Sequence, residues 1–156
     1  MYNAGDILFY KEVKSNLIDI AIADWTQSSL VHCAIAVSST QKIEALSNGV
    51  LLTPLVDIDV DVSWNYSKIP GLYLQSALEW LHSQVGQMYG YGDVLEALLY
   101  KYEHGLVVNI GDHFDCSALA CEFLLKGGGV YQLASITNPH EITPTSLYSL
   151  LTGKKL

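Results

Sequence analysis

Asp115-Cys116-Ser117-Ala118-Leu119-Ala120-Cys121-Glu122-Phe123-Leu124-Leu125-Lys126-Gly127 is the stretch on which the reading of this chain turns. Asp115 is a good N-cap, and Cys116, Leu119, Ala120, Phe123 and Leu124 recur at the i, i+3, i+4, i+7, i+8 spacing of one helix face. Lys126 and then Gly127 form a C-terminal stop. The pattern predicts a short helix entered from the tight loop Gly111-Asp112-His113-Phe114, with Cys116 in its first turn and pointing inward. A thiol there feels the positive end of the helix dipole and the first-turn N–H groups, which favour thiolate and a developing oxyanion. The Asp115 carboxylate acts in the opposite direction, and a cysteine on an apolar helix face also serves as a core-filling side chain. Whether the chain supplies a base decides between the two.

A cysteine nucleophile needs a general base, and the base needs an orienting acceptor. His82 lies in an amphipathic helix pattern, His104 at a helix end and His140 in a loop beside Pro139. His113 is close to Cys116 in sequence, and so near a neighbour in a tight loop rarely has the freedom to line up as a base. His32 differs, because it opens the strand pattern Leu30-Val31-His32-Cys33-Ala34-Ile35-Ala36-Val37, whose small residues Ala34 and Ala36 leave room above it. Glu44, on the next strand, can orient His32 only if both point to one face. Residues paired on antiparallel strands have a constant index sum, so same-face placement requires a turn with an odd number of residues. The three-residue turn Ser38-Ser39-Thr40 pairs Val37 with Gln41 and Ala34 with Glu44, one diagonal step from His32. A four-residue turn would pair Ile35 with Glu44 and send the carboxylate to the opposite face.

Around this pair the chain reads as α+β. Gly5 to Tyr10 is a turn entering a buried strand, and Asn16 to Trp25 is a helix after Ser15. Lys42 to Leu46 and Val50 to Leu52 flank the hairpin signal Asn48-Gly49, giving an antiparallel meander. Val56-Asp57-Ile58-Asp59-Val60-Asp61-Val62 alternates as a strand with one charged face. A calcium loop starting at Asp57 fails there, since Val62 stands where Gly is needed and Lys68 where Glu is needed. Pro70 and Gly71 open a helix to about Val85 with Gly86 as its stop, and Tyr89-Gly90-Tyr91-Gly92 is an aromatic turn. Asp93 caps a helix through about Glu103, and Thr143-Pro144 starts a last helix.

The 156 residues, half of them hydrophobic and 15% charged, predict one domain over 1–156 with no disordered tail. A net charge of -8 and a pI near 4.8 argue against a nucleic-acid surface or a polybasic membrane patch, so neutral or mixed-charge substrates fit better. The N-terminus lacks the basic and apolar regions of a signal peptide, and no apolar run approaches the ~18 residues of a membrane span, so a cytoplasmic start is expected. Three cysteines, Cys33, Cys116 and Cys121, without CxxC spacing predict free thiols, and neither a metal nor another cofactor is expected.

Gly86-Gln87-Met88-Tyr89-Gly90-Tyr91-Gly92-Asp93 and Asp115-Cys116-Ser117-Ala118-Leu119 resemble the G-x-x-Y-x-[WY]-G-G and D-C-S-G-L signatures of the NlpC-type cysteine peptidases, a papain-like superfamily. Gly5-Asp6-Ile7-Leu8-Phe9-Tyr10 and Val31-His32-Cys33-Ala34-Ile35-Ala36 resemble its G-D-[LI]-[VL]-F-[FY] and H-[VA]-[GA]-[IV] strands. Histidine precedes cysteine here, the order of the circularly permuted YiiX-like branch, whose E-A-x-x-x-G-V segment is matched by Glu44-Ala45-Leu46-Ser47-Asn48-Gly49-Val50. The resemblance implies a permuted papain-like fold with Cys116 as nucleophile, His32 as base, Glu44 as the third polar residue and Tyr89 lining the catalytic site. Ala118 and Asp93 depart from the family's glycines, at positions that shape the cleft floor and the tyrosine loop. The implied activity is amide hydrolysis through an acyl-enzyme, on a small peptide of the bacterial cell wall. Acyl transfer or lipid-amide and ester hydrolysis, as in the related lecithin:retinol acyltransferase-like proteins, is a second reading. A binding module that keeps the cleft without the chemistry is a third.

Overall fold

The computed structural model describes residues 1–11, 30–46, 48–56, 60–66, 73–87, 116–128 and 142–154. Five antiparallel strands form one sheet: β1 (Ile7–Lys11), β2 (Leu30–Ala36), β3 (Gln41–Leu46), β4 (Gly49–Pro54) and β5 (Val62–Trp64), in the order β4-β3-β2-β1-β5. Three helices accompany it among the described residues: α1 (Leu74–Ser83), α2 (Cys116–Lys126) and α3 (Pro144–Thr152). The α+β reading therefore holds, and the expected meander is β2-β3-β4.

Side-chain alternation gives the sheet two unlike faces. Ile7, Phe9, Cys33, Ile35, Ile43 and Ala45 point to the side that carries the helices and join Leu119, Phe123, Leu124 and Leu147 in the main core. Leu8, Tyr10, Ala34 and Ala36 point the other way, into a smaller cluster with Tyr2, Leu55 and Val60. Helix α2 packs on β2 and β3 and is flanked by α1 and α3, so it is buried beyond the single stripe its apolar spacing predicts. Ser117, Ala118 and Cys121 are as buried as Leu119. Ser117 meets the cost of that burial by donating from Oγ to the carbonyl of Ile142 at 2.5 Å, which ties the start of α2 to the approach to α3.

Several boundaries follow local chemistry. Thr143 caps α3 by accepting from the Ser146 N–H at 3.1 Å, with Pro144 behind it, and Gly153 ends the helix in the left-handed region at φ 68°. Asp6 is buried and accepts from the backbone of Asn3 through Oδ2 and of Tyr66 through Oδ1, so the Gly5-Asp6 pair is a brace between the N-terminal turn and the end of β5. Helix α1 starts at Leu74 and its C-cap is Gln84; Gly86, at φ 88°, turns the chain so that residues 86 and 87 pair with Val50 at the outer edge of β4. The alternating segment departs from expectation where it is described: Val56 and Val60 are outside any strand, Asp61 donates its N–H to the Phe9 carbonyl, and the ladder with β1 begins at Val62, while 57–59 lie outside the described residues. Asp61 accepts from the Lys11 N–H instead of continuing an outer face. The helices expected over 16–25 and 93–103 lie outside the described residues.

The register between β2 and β3 is the odd-turn one. Val37 donates its N–H to Gln41, Ala36 pairs with Lys42 and Ile35 with Ile43, so the turn is Ser38-Ser39-Thr40. Continued along the strands, the same index sum sets Glu44 opposite Ala34, on the face of His32. In the β3–β4 hairpin, Leu46 pairs with Gly49, so the glycine opens β4 at φ 114° instead of occupying the turn.

Candidate catalytic site

Two irregularities in β2 flank His32. Toward β1, Tyr10 pairs with His32 but Lys11 pairs with Leu30, leaving Val31 as an extra residue, a bulge that re-aims the neighbouring side chain. Toward β3, the ladder ends at Ile35 and Ile43 although both strands continue. Backbone N–H groups of β2 alternate in direction: Ala36 donates to Asp6 beside β1, and Val37 to Gln41 on β3. By that alternation Cys33 aims its N–H toward β3 beyond the last ladder pair, where it meets the sulfur of Cys116. The first residue of α2 thus occupies the place where a β3 acceptor would continue the sheet. That is how a cysteine from the helix side reaches a histidine on the other face.

The imidazole joins Cys116 to Glu44. His32 Nε2 lies 2.8 Å from Glu44 Oε2, and the ring is also hydrogen-bonded to Cys116. With Nε2 committed to the carboxylate, Nδ1 is the nitrogen available to the sulfur. Both oxygens of Glu44 are engaged, Oε2 also accepting from Lys42 Nζ at 2.9 Å and Oε1 from Thr53 Oγ1 at 2.5 Å. Tyr10 packs its ring at 5.5 Å from the imidazole, and Lys42 Nζ sits 4.5 Å from the same tyrosine ring. The carboxylate is 7% exposed, the lysine 14% and the histidine 18%, a gradient from a dry acceptor to a ring that can meet a substrate.

Electrostatics favour the ionised pair. Cys116 is held well below the usual thiol range, first by the hydrogen bond from the Cys33 thiol; burial opposes this, and the charge and hydrogen bond of His32 reinforce it. Burial lowers His32, but the thiolate of Cys116, followed by Glu44, outweighs it and raises the imidazole to about 9. Burial likewise acts to raise Glu44, and His32, Thr53 and Lys42 reverse it, bringing the carboxyl down to about 2. The resulting series is thiolate, imidazolium, carboxylate and ammonium, alternating in sign.

Three of the four residues expected in the site, Cys116, His32 and Glu44, come together in this way. Tyr89 lies outside the described residues, two positions after Gln87 joins the edge of β4. Cys33, Lys42 and Thr53 were not anticipated. Lys42 is two residues from Glu44 and so shares its face, and any tight β3–β4 hairpin of even loop length puts Thr53 there too, so strand periodicity carried both signals. Cys33 points to the opposite face from His32, and only the broken ladder brings it to the sulfur. Among the described residues no group of three His, Cys, Asp or Glu side chains is placed to hold a metal ion, and no helix is long and apolar enough to cross a membrane. In comparisons with known proteins, no family model matches the chain, and no curated protein or solved structure matches it either.

Proposed function

We propose that this chain is a cysteine hydrolase of the circularly permuted NlpC-type, papain-like kind, which cleaves an amide through an acyl-enzyme. The observation that carries the reading is the hydrogen-bonded series from Cys116 through His32 to Glu44, with the cysteine as the first residue of α2. His32 holds the proton of Cys116, so the thiolate attacks the amide carbonyl and its C–S bond forms as the carbonyl π pair moves to oxygen. The positive end of the α2 dipole favours that oxyanion. As the tetrahedral intermediate collapses, the C–N bond breaks and imidazolium Nδ1–H protonates the departing amine. A water, deprotonated by the now neutral imidazole, then attacks the thioester, releasing the carboxylic acid and restoring the thiolate and imidazolium. Glu44 keeps the ring oriented throughout and stabilises its charge.

A bacterial cell-wall peptide is the substrate this family resemblance favours, and the acidic chain suits a neutral or mixed-charge peptide better than a polyanion. The test incubates the protein with a peptidoglycan digest and with acyl-lipid amides, and follows products by mass spectrometry against Cys116→Ala. The expected result is a new peptide amine and carboxylate that the variant does not produce. Cleavage of the lipid amides alone would move the chain to the acyltransferase-like class. Products that persist in Cys116→Ala would remove the thiol from the chemistry.

A further inference from the structure

The lysine on Glu44 takes no part in the proton transfers above, yet it is held on two sides, by the carboxylate and by the Tyr10 ring. Its Nζ is 2.9 Å from Oε2, the same oxygen that meets His32 Nε2, while the tyrosine ring lies 4.5 Å from it. A lysine on an open strand loses rotamer freedom for little gain in such a pair, and an exposed one is worth little. This one is 14% exposed and faces a carboxylate whose second oxygen is already taken by Thr53. Among the described residues, the groups facing the carboxylate are His32 from β2, Lys42 from β3 itself and Thr53 from β4. Tyr10 from β1 lies against the imidazole, and Cys116 from α2, backed by Cys33, completes its far side.

We propose that Lys42 is a positioning residue for the nucleophile: clamped between Tyr10 and Glu44 Oε2, and acting with Thr53 on Oε1, it fixes the carboxylate so that Nε2 of His32 is held and Nδ1 is turned to Cys116. The inference rests on the reading of Cys116 and His32 as nucleophile and base. Two consequences separate it from a salt bridge that merely stiffens β3. First, Lys42 completes the charge balance of the site: without it the ionised cysteine, histidine and glutamate carry a net negative charge away from water, which disfavours every anion among them. Second, the ammonium and the imidazolium share one oxygen and repel each other, so Lys42 limits how firmly the ring keeps its proton. An imidazolium that holds its proton too firmly is a poor acid toward a leaving amine. Lys42 therefore sets the pH range over which the pair is both ionised and able to give the proton up, and Thr53, which carries no charge, acts on Glu44 alone, orienting it and helping to hold it ionised.

The measurement is the pH dependence of Cys116 alkylation by iodoacetamide, which needs no substrate, made on the full chain and on Lys42→Met, Lys42→Arg, Thr53→Val and His32→Ala. Removing a cation raises each neighbouring pKa, so Lys42→Met should move the whole reactivity profile to higher pH by roughly one unit. Lys42→Arg should return it, and Thr53→Val should lower the rate at every pH without moving the profile. Nitrogen NMR of the His32 ring supplies a second reading: in Lys42→Met the imidazolium should persist to higher pH. Should Lys42→Met fail to fold, Lys42→Gln with the same two readings takes its place. An unmoved profile in a folded lysine variant, alongside a profile that His32→Ala slows and moves to higher pH, overturns the role of Lys42 and leaves the nucleophile intact. A profile that His32→Ala leaves unchanged overturns the nucleophile and base reading, and the inference falls with it.

Discussion

His32→Ala is expected to slow alkylation of Cys116 by roughly a hundredfold near pH 6, because a thiol at its ordinary pKa of 9.0 is then ionised to well under one per cent. In the parent protein the imidazole stays protonated up to about 9, and its charge and hydrogen bond help to hold the sulfur as thiolate. Taking the ring away leaves burial unopposed on that side, and burial acts to protonate a thiol. The donors on Cys33 remain, so the loss should be large without being total. Rates of labelling of all three cysteines, read by mass spectrometry as a function of pH, check this; Cys116 should be the fastest in the parent. A variant as reactive as the parent near pH 6 would take His32 out of the base role.

The second large effect is on stability. Glu44 falls from 4.5 to about 2 on folding, so it contributes stability that is present above 4.5 and lost as the pH falls through 2, about 3 kcal/mol across that interval. Glu44→Gln removes that term and leaves Lys42 and the protonated His32 facing a neutral amide, which should cost roughly 3–5 kcal/mol at neutral pH. Urea unfolding at a series of pH values tests both parts. The other carboxyl groups titrate in both proteins, so the difference between the two curves isolates Glu44; it should shrink between pH 4.5 and 2. Parallel curves would mean that the carboxylate is no better stabilised in the folded chain than in the unfolded one. At the other end of the scale, His32 alone contributes stability present below 6.5 and lost as the pH rises through 9. Cys116, with its lowered pKa, contributes in the opposite sense, present above 9.0 and lost as the pH falls. Between 6.5 and 9.0 the unfolded pair carries one proton on sulfur and the folded pair carries one on nitrogen, so the two slopes cancel and stability from the pair is level.

Much of this was legible in the sequence, and the limits have physical causes. The strands of the meander, the helix over 116–126 and the cap at Thr143 each rest on local patterning, and each appears where that patterning put it, while the expected cap Asp115 lies outside the described residues. The register between β2 and β3 was legible because turn length and strand alternation are both local. The described ends of the segment 56–62 misled because alternation is necessary for a strand and not sufficient: at Asp61 a carboxylate, not a carbonyl, accepts from the Lys11 N–H, and the ladder with β1 starts at Val62. The partnership of Cys33 with Cys116 was out of reach because it depends on where a ladder stops. That is decided by tertiary packing of α2 against β2 and β3, not by any spacing in the chain.

The turn Ser38-Ser39-Thr40 touches none of the reacting groups, yet it governs them as a reading frame governs a message. It fixes the parity with which β3 is laid against β2. One residue inserted at Ser39 shifts the frame: if the apolar face of β3 keeps its place in the core, β2 and β3 lose their pairing; if the pairing is kept, Glu44 and Lys42 turn to the helix side and Ile43 leaves it. Two inserted residues restore the frame and only lengthen an exposed loop, at a cost of a few tenths of a kcal/mol. Single insertions should therefore abolish the reactivity of Cys116 and double insertions should spare it, a pattern that a loop-length series read by alkylation would reveal. Tolerance at this surface turn is periodic in length, with the period of the β-strand.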